Sequence, residues 1–130
     1  MSVVRTILVA YDDPESKTLA RAADLAQALQ ASLIVTNVAP ADRHEDADAA
    51  GYGKERLEQA RAVLGERGLD AELVAATGQP AEAIIKLAEE RGVDLIVVGM
   101  RKKGFLERLV EGSVAQDVMR RASCDVLAVH

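Results

Sequence analysis

Short apolar runs alternate along this chain with longer segments in which apolar residues recur every three or four positions. Arg5 to Ala10 contains Ile7-Leu8-Val9, and Asp94 to Val98 contains Leu95-Ile96-Val97-Val98. An unbroken apolar run predicts a strand covered on both faces, so these two are expected at the centre of a sheet. Leu33 to Val38 reads as a similar strand that carries Thr36 and Asn37, whereas Ala71 to Ala75 includes Glu72 and is expected as a half-buried edge. Asp125 to Val129 supplies a fifth run. Helical spacing fills the intervals. Ser16 to Gln30 places Leu19, Ala22, Ala23, Ala26 and Leu29 on one face, Lys54 to Arg67 aligns Leu57, Ala60 and Leu64, and Pro80 to Arg91 turns Ile84, Ile85 and Ala88 inward. The resulting order, βαβαβαβαβ, predicts an α/β fold with an open parallel sheet and helices on both of its faces.

Two of the intervals close alike. In Arg67-Gly68-Leu69-Asp70 and Arg91-Gly92-Val93-Asp94, glycine takes the left-handed turn after a helix and a strand follows. Pro40 to Gly53 has no periodicity and is rich in Ala and Asp, so it is expected as the one long connection. It holds Asp42, His44, Glu45, Asp46 and Asp48 without a partner histidine at a liganding interval, which favours a solvated acidic loop over a metal site.

Composition narrows the class. At 130 residues the chain has the length of one domain, expected over residues 1–130, and its 49% hydrophobic and 28% charged content is that of a folded globule. Sixteen Lys and Arg against 21 Asp and Glu give a net charge of −5, the wrong sign for a general nucleic-acid binder. Aromatics are 2%, too few for platforms that stack bases. No apolar run approaches the roughly 18 to 20 residues that span a bilayer, and Met1 to Arg5 leads into a strand without a signal-peptide pattern. A cytoplasmic location is expected, with no nucleic acid and no membrane as partner. Cys124 is the only cysteine and is expected as a small buried filler.

Candidate chemistry concentrates where strands end, because open parallel sheets bind ligands outside the carboxyl ends of their strands, at the point where strand order reverses. Asp12 and Asp13 follow the first central strand. Asp13 before Pro14 suits an N-cap. Asp12 at the strand tip is either a second turn carboxylate or an acceptor for a ribose hydroxyl, a base amine or a cation beside phosphates. Gly99-Met100-Arg101-Lys102-Lys103-Gly104 leaves the other central strand, and Gly112-Ser113 precedes the last helix, where Ser113 and Gln116 have the spacing of a capping box. Free amides at a helix start with Arg101, Lys102, Lys103 or Arg108 nearby form an anion-site layout; the same residues also fit a capped helix behind a basic solvated loop.

Taken together, Ile7-Leu8-Val9-Ala10-Tyr11-Asp12, Gly78-Gln79-Pro80-Ala81, Asp94-Leu95-Ile96-Val97-Val98-Gly99, Gly112-Ser113-Val114-Ala115 and Cys124-Asp125-Val126-Leu127-Ala128-Val129 resemble the universal stress proteins over essentially the whole chain. The resemblance implies a five-stranded parallel sheet in the order 3-2-1-4-5, dimerisation and, in many members, ATP held between the first and fourth strands. Members that bind ATP typically carry Gly-x-x-Gly, nine residues, then Gly-Ser or Gly-Thr. Gly99, Gly112 and Ser113 match this pattern, whereas Lys102 stands at the second glycine and Gly104 lies two residues late. Carried over on the matching positions, Asp12 is the acidic group near the nucleotide, Val38 lies at a strand end lining the adenine, and Gly99, Gly112, Ser113 and Val114 hold the phosphates. Arg101 and Lys102 belong to a basic run without a counterpart in the pattern.

An apolar strand residue such as Val38 also reads simply as core. The last strand, Asp125 to Val129, is expected to pair with a second copy, giving a homodimer. His44 and His130 are not placed for acid–base work, and no Gly-x-x-x-x-Gly-Lys-Ser/Thr loop is present, so at most slow ATP hydrolysis is expected. Two readings follow: a dimeric regulator responsive to ATP or another adenine nucleotide, with or without Mg2+, or a scaffold dimer of the same fold in which Lys102 has ended nucleotide binding.

Overall fold

In the computed structural model, residues 4–12, 16–39, 47–100 and 114–130 are described, apart from the side chains of residues 47–50 and 52. Five parallel strands, β1 (Thr6–Ala10), β2 (Ser32–Ala39), β3 (Glu72–Thr77), β4 (Leu95–Gly99) and β5 (Asp125–Val129), form one sheet in the order β3-β2-β1-β4-β5. Strand order reverses at β1, which pairs with β2 through Val9 and Val35 and with β4 through Val9 and Val97. The two unbroken apolar runs thus occupy interior positions, and the run with Glu72 lies at an edge, as their patterns predict.

Four helices among the described residues cover the sheet. The pleat sends alternate side chains to opposite faces. Ile7, Val9, Leu33, Val35 and Val97 pack under α1 (Thr18–Leu29) and α2 (Ala47–Glu66). Leu8, Ile34, Ile96 and Val98 pack under α3 (Pro80–Arg91) and α4 (Val114–Arg121). Both clusters are needed because the interior strands present apolar side chains to both faces. No described helix is long and apolar enough to cross a membrane.

Several boundaries differ from the expectation. Residues 47–53 are the first two turns of α2 rather than part of a connection. Gly53, Leu57, Ala60 and Leu64 are buried at spacings of four, three and four, so one stripe runs through the helix and a glycine supplies its first position. A pattern scored on apolar side chains cannot see that position. Asp42, His44, Glu45 and Asp46 lie outside the described residues. In α1, Leu19, Ala22, Ala23 and Ala26 are buried, but Leu29 is 41% exposed. Leu29 sits roughly 80° around the helix from Leu19, at the margin of the stripe and in the last turn. Ile85 is half-buried rather than fully inward.

The N-cap of α1 is Lys17, not Asp13, which lies outside the described residues with Pro14. The Thr18 amide donates to Ser16 Oγ at 2.9 Å, so a serine two residues upstream answers the first free donor.

Helix ends are closed by the predicted turn, and by a third copy of it. Gly68 at φ 72° follows α2, where the Leu69 amide donates to the Leu64 carbonyl and the Gly68 amide to that of Gly65. Gly92 at φ 64° repeats this after α3, with Val93 reaching Ala88 and Gly92 reaching Glu89. Gln30 does the same work after α1 at φ 55°, where a Cβ is strained. Gln30→Gly is expected to stabilise the protein by about 0.5 to 1 kcal/mol, read as a higher midpoint in urea. An unchanged or lower midpoint would show that Gln30 is not strained there.

Two charged contacts lie at the amino-terminal end of the sheet. Asp94 Oδ2 accepts from the amides of Arg5 at 2.8 Å and Thr6 at 3.0 Å, tying the start of β1 to the start of β4. Arg91 donates to both carboxylate oxygens of Glu72 and holds that carboxyl below its usual range, and the pair is too exposed to add much stability.

Candidate functional site at the reversal of strand order

The carboxyl ends of β1, β2 and β4 meet at one end of the sheet. There Asp12 leaves β1 with its side chain exposed, Val38 lies near the end of β2, and Gly99 is the last residue of β4. Val38 is half-buried against the cluster under α3 and α4, so its side chain fits the core role. Val114 opens α4 and packs against the same cluster. Arg101, Lys102, Gly112 and Ser113 lie outside the described residues, as does the capping bond expected of Ser113.

The resemblance placed Gly99 among the residues that hold the phosphates. The structure shows that the protein itself comes close. A Cβ built on Gly99 would stand 2.7 Å from Thr18 Oγ1 and 3.8 Å from Ser16 Oγ. Thr18 is 4% exposed, and its hydroxyl is hydrogen-bonded to that of Ser16 at 2.5 Å. The start of α1 is therefore seated directly against the end of β4, and only a residue without a side chain permits that approach.

Two further groups at this end were missed by sequence reasoning. One is the hydroxyl pair of Ser16 and Thr18; its signal, Ser-x-Thr just before an amphipathic helix, was present but was passed over for Asp13-Pro14. The other is Asn37, 2% exposed, whose Nδ2 donates to the Tyr11 carbonyl at 2.9 Å. Its neighbour Thr36 is fully buried and donates through Oγ1 to the Val74 carbonyl at 2.7 Å. These bonds cross between strands, so a linear pattern carries no trace of them.

Chemically, this end offers the exposed Asp12 carboxylate and the partly buried Ser16 hydroxyl, groups that suit the hydroxyls of a sugar. No cluster of three His, Cys, Asp or Glu side chains able to hold a metal occurs among the described residues. At the opposite end of the sheet a groove of about 280 Å³ lies between α3 and the turn after α4, lined by Ile85, Gly92, Val93, Ser123 and Cys124 among others. Cys124 is half-buried rather than fully buried, and burial, then the charge of Asp125, pushes its thiol up, away from a reactive thiolate.

Comparison with known proteins adds to this geometry. The profile of the Universal stress protein family matches residues 4–130. Universal stress protein Rv1636 of Mycobacterium tuberculosis is 34% identical over 146 aligned positions, covering 100% of this chain and 99% of that protein. YxiE of Bacillus subtilis is 41% identical over 78 residues, 60% of this chain and 53% of that protein, and the match to MJ0531 of Methanocaldococcus jannaschii covers 45% of its length. The matched stretch thus spans about half the length of those two relatives. Among solved structures, a universal stress protein in complex with cAMP superposes with a TM-score of 0.81 at 30% identity, covering 99% of each chain. A universal stress protein from Archaeoglobus fulgidus gives 0.82 at 26% identity, covering 98% of this chain and 95% of the other. A profile matched from Val4 to His130 and a full-length relative, on a sheet ordered 3-2-1-4-5, lead to one conclusion: the chain belongs to the universal stress protein family.

Proposed function

We propose that this protein, as a single domain over residues 1–130, binds an adenine nucleotide at the carboxyl ends of β1 and β4 and works as a nucleotide-responsive regulator in a stress response. The observation that carries the reading is the exposed Asp12 carboxylate at the reversal of strand order, beside the end of β4 at Gly99. Support comes also from the relative at 30% identity whose structure holds cAMP. Asp12 accepts from ribose hydroxyls, the β2 end at Val38 faces the base, and Gly99, Gly112, Ser113 and Val114 take the phosphates, with Arg101 and Lys102 adding positive charge. Bound ATP would bring a triphosphate whose charge calls for those cations or for Mg2+. The dimer forms through the edge strand β5, and the compartment is the cytoplasm.

Calorimetric titration of emptied protein with ATP and Mg2+, AMP and cyclic AMP tests this. Binding of at least one is expected, with Asp12→Ala weakening it about tenfold or more, the loss of a charge-assisted hydrogen bond. A wild-type protein that takes up none of the three at millimolar ligand would overturn the reading. The scaffold role, which Lys102 at the motif position favours, would then stand in its place.

A further inference from the structure

Asn37 occupies the pleat positions that Leu33 and Val35 fill earlier in β2, under α1 and α2. A β-branched apolar residue would complete that row without a polar atom to satisfy. Asn37 brings two. Its Nδ2 donates to the Tyr11 carbonyl, while Oδ1, fully buried, meets no hydrogen-bond donor among the described residues. Oδ1 lies 3.3 Å from where a Cβ on Gly53 would stand, so it faces the backbone of α2. A buried acceptor without a donor lowers stability, and such local costs are commonest where a site needs the residue.

What the asparagine holds is specific. The Tyr11 amide donates to the Thr36 carbonyl at 2.8 Å, and the Tyr11 carbonyl accepts from Asn37. Consecutive residues of β2 therefore grip Tyr11 on both sides. Its carbonyl belongs to the peptide bond with Asp12, so fixing that oxygen fixes the plane from which the Asp12 backbone departs.

We infer that Asn37 is a positioning residue of the nucleotide site: its side-chain amide orients the Tyr11–Asp12 peptide and thereby aims the Asp12 carboxylate. This rests on the proposed nucleotide reading and deepens it. Asn37 itself touches no ligand.

The test pairs Asn37→Val with Gly53→Ala. Valine suits the strand and removes the orphaned oxygen together with the amide donor. Alanine leaves Asn37 intact but places a methyl 3.3 Å from Oδ1, which displaces the side chain from the α2 side. Each variant is measured for thermal midpoint, for hydrogen exchange at the Tyr11 and Asp12 amides, and for affinity toward whichever of ATP with Mg2+, AMP and cyclic AMP the wild type binds most tightly. In Asn37→Val, affinity is expected to fall three- to tenfold, about one hydrogen bond's contribution, with a midpoint close to wild type. Exchange at Tyr11 and Asp12 speeds up while Ile7 to Val9 stay protected. Gly53→Ala is expected to weaken binding about twofold in the same direction. Wild-type affinity in Asn37→Val, with the wild type binding normally, would overturn the inference and leave the nucleotide reading intact. A wild type that binds none of the three overturns both.

Discussion

Gly99→Ala is expected to destabilise the protein by about 2 kcal/mol, the cost of forcing a methyl into a packed site. The added carbon would stand 2.7 Å from the hydroxyl of Thr18, a short buried side chain at the base of α1 that has little freedom to withdraw. Thr18→Ala removes the obstructing oxygen. The next atoms, Ser16 Oγ at 3.8 Å and Thr18 Cβ at 3.9 Å, accept a methyl without strain. The double variant Gly99→Ala/Thr18→Ala should therefore be more stable than the sum of the single effects predicts, with a coupling of at least about 1 kcal/mol. Additive effects in urea unfolding would show that contact with Thr18 is not what requires glycine at this position.

The second large effect is in the core. Leu8→Ala is expected to cost about 3 to 4 kcal/mol, because Leu8 is wholly buried on an interior strand in the cluster under α3 and α4. Thermal unfolding should shift down by roughly 10 °C or more. Leu29→Ala, the same chemical change at a 41% exposed site, should fall within about 0.5 kcal/mol of wild type. Similar losses for the two would mean that the end of α1 is covered in solution.

Most of the fold was legible because strand and helix periods are local. The runs at Ile7 to Val9 and Leu95 to Val98, and the edge character announced by Glu72, were readable from a few residues each. So were the turns at Gly68 and Gly92, since a positive φ favours glycine. What escaped depends on a second segment. Gly53 joins the stripe of α2 through what it faces on Asn37. Thr36 and Asn37 are buried polar residues because carbonyls of Val74 and Tyr11, 38 and 26 residues away, accept from them. At the candidate site, Asp12 and Gly99 were legible from their place after apolar runs. Ser16, Thr18 and Asn37 were not, because contacts across the sheet give them their roles. The dipeptide Asp13-Pro14 pointed to the wrong cap for a similar reason: it is a strong local signal, and the seating of α1 against Gly99 is a distant one.

The reversal of strand order that builds the site also sets a timetable. The Thr6 amide finds Asp94 88 positions further along the sequence, and β1 meets β4 over the same span. At about 5 to 20 residues per second of synthesis, β1 waits roughly 4 to 18 s on the ribosome for its second neighbour. During that wait β2 is the one sheet neighbour β1 has, and its other side stays unpaired. The centre of this sheet is therefore complete only once β4 has been made.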